Sequence, residues 1–266
     1  MEEESSKKDV LHTKIWYEVA QEDNPFAAQS CFCSGYDVYE DILPQASWFE
    51  YVYLLFKLNK PHQWQTSLLE KIALAIANPG IRDHSIRAAM NAGVGGSTSA
   101  SSLMAALAVG AGQLGGAREV YSAINLWKCC QQDLSLWQQQ LVNFNKEEVD
   151  GWPKQEHAPG FDPNGVTCTQ PVLKTLSICA DEKQAASLNW LQANRVELEK
   201  IAQAPLAMTG VISAALNDLG FDAEQSEMLY LILRLPGAAV HALEQKAMGW
   251  KKYPFYLDKF HIDQAG

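Results

Sequence analysis

From Trp48 onward the apolar residues fall at helical spacing. Trp48, Phe49, Val52, Leu55 and Phe56 share one face, and Leu68, Leu69, Ile72 and Ile76 share another after Pro61. Steps of three and four put such residues on one stripe of a 3.6-residue helix, so two packed helices are predicted. Asn78-Pro79-Gly80 ends the second, since proline lacks an amide and glycine tolerates positive φ. Residues 99–116 are rich in Ala, Gly and Ser. Small side chains at helical spacing let helix axes approach closely, so this helix is expected to lie deep, in a core or a subunit interface. Val120, Ile124, Trp127, Leu134, Trp137, Leu141 and Phe144 predict one long amphipathic helix over 120–144, with both tryptophans in the core. Helical patterns return at 172–180, 182–203, 209–219 and 223–247, with Gly220 closing the third and Asp222 capping the last.

Little of the chain reads otherwise. Residues 13–21, TKIWYEVAQ, alternate apolar and polar groups as a short strand would, and NPF, CSG and GYDVYED read as loop and helix start. No sheet can be assembled from the remainder, so the fold class is all-α. Residues 145–171 form the long irregular segment, with Trp152-Pro153, His157, Pro159-Gly160-Phe161, Asp162-Pro163 and Gln170-Pro171. Loops of that length inside compact domains often carry function. The chain has 266 residues, and above roughly 250 a single core tends to split, so two lobes with a cleft are expected. Fixed-period repeats and low-complexity tracts are absent.

Charge removes several classes of function. With 31 acidic and 21 basic residues the formal charge is −10, which repels a polyphosphate backbone unless the basic groups cluster, and they do not; nucleic acid is not an expected partner. No uninterrupted apolar run reaches the roughly 18 residues of a membrane span, and MEEESSKKD lacks the basic end and apolar stretch of a secretory signal. Six scattered cysteines suit reduced thiols, so a cytoplasmic location is expected. Cys31 and Cys33 form a CxC pair without a second paired motif, which favours packing thiols over a metal site.

Several patterns imitate known sites. Gly110-Ala111-Gly112-Gln113-Leu114-Gly115 is formally GxGxxG, but a dinucleotide site needs a preceding strand and SSLMAALAV has a helix-forming composition. No histidine pair has the i, i+4 spacing of a metalloenzyme, and no metal is expected. Ser97, Ser99, Ser101 and Ser102 lack the GxSxG turn of a nucleophile. In Asp83-His84-Ser85 adjacent side chains diverge and cannot form a relay, which leaves His84 in an exposed loop or first helical turn.

In order along the chain, five segments carry a resemblance. CSGYDVYEDIL with ASWFEYVYLLFKLNKP is similar to RGYDIEEL with TFEEVAYLLLTGELP; SLMAALAVGAGQLGGAREV resembles the alanine-rich helix leading into HGGA; HAPGFDPNGVTCTQPVLKTL resembles PGFGHP followed by DPR; GVISAALNDLGF resembles NVDG followed by AALLLDLGF; and LILRLPGAAVHALEQ is similar to RLPGLLAHALEE. In these segments the chain resembles the citrate synthase superfamily, nearest its short citryl-CoA lyase-like branch, and the resemblance spans nearly the whole chain. It implies an all-α fold, with a large domain of residues 1–117 and 223–266, a small domain of 118–222 covering a cleft, and a homodimer. The small domain would close over ligands, placing 157–172 and 205–210 on its moving wall.

The resemblance also implies chemistry on an acyl-CoA thioester and an oxo acid, a transferase or lyase reaction with the coenzyme A thioester as substrate and no bound cofactor. A thioester methyl is weakly acidic, so a carboxylate base and histidine donors must act together, with arginines holding carboxylates. The residues at those positions are substituted. The HGGA histidine falls on Leu114, the GFGH histidine on Pro163, the NVDG aspartate on Thr209 or, one residue earlier, Met208, the DPR arginine on Val172 and the DHG histidine on Pro79. Arg234 matches the RLPG arginine. If chemistry persists, His84, His157, Asp162 and Arg234 are the candidates, with Lys251 and Lys252 for coenzyme A phosphate. Loss of members that act as a unit removes most of a rate enhancement. The alternative is therefore a pseudoenzyme that binds an acyl-CoA or polycarboxylate ligand or partners an active relative.

Overall fold

The computed structural model describes residues 13–144 and 157–254; MEEESSKKD and Trp152-Pro153 lie outside them. The chain divides into two compact units, residues 1–67 and 68–266.

The first unit contains a small sheet that the sequence pattern did not show. Strands β1 (Tyr17–Ala20), β2 (Ala28–Cys33) and β3 (Tyr36–Asp37) pair antiparallel in that order. β1 lies inside the alternating stretch, but β2 and β3 occupy residues expected to be loop. They are short, and a short strand is specified by its partner more than by its own periodicity. Ser34 and Gly35, at φ 50° and 86°, form the two-residue turn between β2 and β3; positive φ at both positions matches the strands' twist. Cys33 is fully buried with Ile42 and Leu54, so this thiol of the CxC pair fills a core. Helix α1 (Trp48–Lys57) starts at a capping box in which Ser47 and Glu50 satisfy each other's amides.

The helix α2 (Gln63–Ile76) runs across the division. In the second unit follow α3 (His84–Val94), α4 (Ser99–Gly110), α5 (Ala117–Cys130), α6 (Leu134–Phe144), α7 (Gln170–Ala180), α8 (Ala186–Ala202), α9 (Met208–Asp218) and α10 (Ala223–Met248). α10 packs on α3, α4 and α5, while α9 packs on α5, α7 and α8. Pro236 takes one donor out of α10, and the neighbouring Gly237 amide donates instead to Ala77 O at 2.8 Å, tying α10 to the end of α2. The Asp218 carboxylate accepts the Ser187 and Leu188 amides at 2.7 and 3.0 Å, so α9 caps the start of α8.

Two helical expectations change. The predicted helix over 120–144 is two helices: Gln131, at φ 48° and ψ −125°, breaks the ladder, and Asp133 starts α6 by accepting the Ser135 and Leu136 amides. Trp127 and Trp137 remain core residues in contact, with ring centroids 4.9 Å apart at an edge-on angle. α4 is not deep within the chain. Ser102, Ala106 and Gly110 are buried, whereas Met104 and Val109 are exposed. Asp222 caps α10 as predicted, in a box with Gln225. Asp222→Ala is expected to cost about 1 kcal/mol, measured as a lower urea midpoint with an unchanged slope.

Candidate functional site

In the second unit a cavity of about 790 Å³ opens between the end of α2, the start of α3, the loop after α4, the start of α5, residues 161–172, residues 205–209 and α10. Pro79, Leu114, Pro163, Val172, Thr209 and Arg234 all line it. These six residues are spread over more than 150 positions of sequence, and the fold gathers them around one space.

The wall of the cleft is fixed by backbone contacts. Phe161 and Leu206 form an antiparallel bridge, the Asp162 amide donates to Pro205 O at 2.8 Å, and the Ala207 amide donates to Gly160 O at 2.9 Å. Gly160 sits at φ +90°, and a Cβ on Gly210 would lie 2.4 Å from Gly160 O. Glycine at both positions allows two backbones to touch where any side chain would separate them.

Behind this contact lies Glu119, a buried carboxylate on the apolar face of α5. It accepts Thr209 Oγ1 at 2.6 Å, the Gly160 amide at 2.9 Å and the Gly115 amide at 2.6 Å. His157 Nε2 lies 3.5 Å from its second oxygen, beyond hydrogen-bond geometry, and finds no other partner among the described residues. Sequence reasoning missed Glu119, although a signal existed: it stands four and eight residues before Ala123 and Trp127, in line with the buried stripe. A charge on that stripe calls for buried partners.

Arg234 is equally committed. Its side chain is 6% exposed, and Nη2 pairs with Asp83 Oδ2. Nη1 reaches Gly115 O at 3.5 Å, the guanidinium lies over the Tyr230 ring at 4.7 Å, and Nε is buried without a partner among the described residues. Burial pushes the Tyr230 phenol up to about 12, against the opposing pull of Arg234. At neutral pH it therefore donates, to Gly115 O at 3.1 Å. Asp83 also N-caps α3, accepting the Ser85 and Ile86 amides and the Ser85 hydroxyl.

The predicted residues thus divide. Asp162, His84 and Arg234 line the cavity, His84 exposed on the first turn of α3 and Asp162 accepting the Asn164 amide at 2.9 Å in its own turn. His157 is buried beside Glu119 and is not among the lining residues. Lys251 and Lys252 lie on an exposed turn after α10 and do not line this cavity either. The formal GxGxxG stretch follows α4, a helix, so the strand a dinucleotide fingerprint requires is missing. Among the described residues no group of three His, Cys, Asp or Glu side chains is placed to hold a metal ion, and no helix is long and apolar enough to cross a membrane.

An all-α unit with a cleft between helix ends, lined at these six positions, defines a fold class, and comparison with solved structures places it. The chain is similar to citryl-CoA lyase from Hydrogenobacter thermophilus, with a TM-score of 0.73 at 14% identity over 97% of this chain and 95% of that one. It is similar to ATP citrate lyase from Methanothrix soehngenii, solved with citrate and coenzyme A, with a TM-score of 0.74 at 18% identity over 98% of this chain but 42% of the larger enzyme. Citrate synthase from Thermoplasma acidophilum, in a ternary complex with carboxymethyl coenzyme A and oxaloacetate, matches with a TM-score of 0.59 at 15% identity over 85% and 60% of the two chains. No family model matches the sequence, and no curated protein matches it. The fold is citrate synthase-like.

Proposed function

We propose that the protein is a member of the citrate synthase superfamily that binds a coenzyme A thioester or polycarboxylate ligand in this cleft without the family's standard carbon-carbon chemistry. One observation carries the reading: the positions to which the resemblance assigns proton-moving groups meet around a single cavity, and they hold Leu114, Pro163 and Thr209. Leucine and proline side chains exchange no proton. The Thr209 hydroxyl is spent on Glu119, and Glu119 is itself held by three donors, so neither is free to act as a base. The division into a large domain of 1–117 and 223–266 and a small domain of 118–222 belongs to the same reading, and the cleft draws lining residues from both ranges. So does the homodimer: Met104 and Val109 on α4 and Met228, Ile232, Val240 and Leu243 on α10 are exposed apolar groups that a second copy would cover.

The test is a thermal-shift series with acetyl-CoA, free coenzyme A and citrate, followed by a thiol-release assay with oxaloacetate. The expected result is a rise in Tm of about 5 °C or more at a hundredfold excess of at least one coenzyme A ligand over its Kd, with thiol release no faster than in buffer. Release above the buffer rate, abolished by His157→Gln, would replace this reading with a second one. That second reading, an enzyme of altered mechanism, draws its support from His157 standing beside Glu119 with a ring nitrogen that finds no hydrogen-bond partner among the described residues.

A further inference from the structure

A buried arginine on the wall of a cavity is ordinarily a receptor for a carboxylate, because its planar fork of donors matches two carboxylate oxygens. Arg234 has that setting: it lines the cleft, is buried, and keeps one donor, Nε, without a partner among the described residues. Yet the fork is already engaged, since Nη2 pairs with Asp83 of the same chain. Asp83 is no loosely held side chain. The Ser85 and Ile86 amides and the Ser85 hydroxyl hold its other oxygen at the start of α3, so the carboxylate is fixed in place before any ligand arrives.

Resting on the reading of the cleft as a ligand site, we propose that Asp83 is its specificity-determining residue: an internal carboxylate that occupies Arg234 in place of a ligand's and so restricts the cleft to ligands that are uncharged at that end. A ligand carboxylate would have to displace one that the chain itself supplies, which carries no translational cost of association. It would also bring a further negative charge into a lining where Asp83, Glu119 and Asp162 already outnumber Arg82 and Arg234. Of the two ligand classes above, this selects an acyl thioester with a neutral acyl end over a di- or tricarboxylate.

Asp83→Asn tests the idea, because asparagine keeps the helix cap and removes the charge. Citrate binding is measured by calorimetry for the full chain, for D83N, and for the D83N/R234Q double variant. The expected result is that D83N binds citrate at least about tenfold more tightly than the unaltered protein, and that R234Q added to it returns the affinity to the starting level. Citrate binding to the unaltered protein as tight as to D83N overturns the proposal, and so does a gain in D83N that survives R234Q. If D83N fails to fold, Asp83→Ser, which also keeps a capping oxygen, takes its place. If both fail, the unaltered protein decides: citrate binding overturns the proposal, while acetyl-CoA binding without citrate binding upholds it. Failure of the wider reading is seen separately, as thiol release or as no shift with any coenzyme A ligand.

Discussion

Replacing Glu119 with alanine is expected to cost about 3–5 kcal/mol, the largest effect of any single substitution in the cleft. The carboxylate accepts hydrogen bonds from a side chain on α9, the amide of the 157–160 segment and the amide of the loop after α4. Each buried donor left without an acceptor costs about 1–3 kcal/mol, and the three are coupled through one acceptor, so their losses do not simply add. His157 would also lose the carboxylate that lies 3.5 Å from its Nε2. Against a typical total of about 5–15 kcal/mol, such a loss leaves the chain marginal or unfolded. Urea denaturation checks it, as a fall in midpoint at constant slope. Glu119→Gln serves as the informative control: it preserves volume and one acceptor oxygen but replaces the other with an NH2 that faces donors already there, so it should cost less than alanine and more than a surface change. A cost below about 1 kcal/mol for alanine would mean that Glu119 does not hold the cleft together.

Gly210→Ala is expected to cost about 2–3 kcal/mol, even though alanine is the better helix former by about 1 kcal/mol. Its Cβ would fall 2.4 Å from Gly160 O and 2.8 Å from Leu206 Cδ1. The first of these is backbone, which cannot rotate away, and that carbonyl also accepts the Ala207 amide. Relief therefore requires residues 158–162 to move off α9, which opens the cleft wall and draws Gly160 from Glu119. Gly93→Ala provides the comparison, because its Cβ would meet Ala242 O at the same 2.4 Å where α3 crosses α10. Both variants should lose stability, but only Gly210→Ala should also weaken ligand stabilisation in the thermal-shift series. Equal ligand responses from the two would detach the glycine contact from the binding site.

The helical stretches were readable because each records its burial locally. Leu68, Leu69, Ile72 and Ile76 recur at the spacing of one buried face, and all four are buried. Gly220 and Asp222 are stop and start signals that act on their own backbone, and they stand where α9 ends and α10 begins. The failures share an opposite cause. β2 gains its hydrogen bonds from β1 and β3, so its short sequence carries little sign of a strand. The break at Gln131 interrupts an apolar period that continues on both sides, and the period hid it. α4 is small-residue rich along its whole length, and only its neighbours show that it buries one face of the chain's own core and exposes the other.

For the site, the residue types decide one thing unaided: neither Leu114 nor Pro163 carries a proton in any fold. Their order also pointed to Arg234, the matched polar residue that lines the cavity. What surrounds that arginine is another matter. Asp83 stands 151 residues from it, and Glu119 stands 90 from Thr209 and 41 from Gly160. Hydrogen bonds and charge pairing act through space over a few ångströms and leave no periodic trace along a chain, so only the packing of α3, α5, α9 and α10 decided that each carboxylate would be consumed internally.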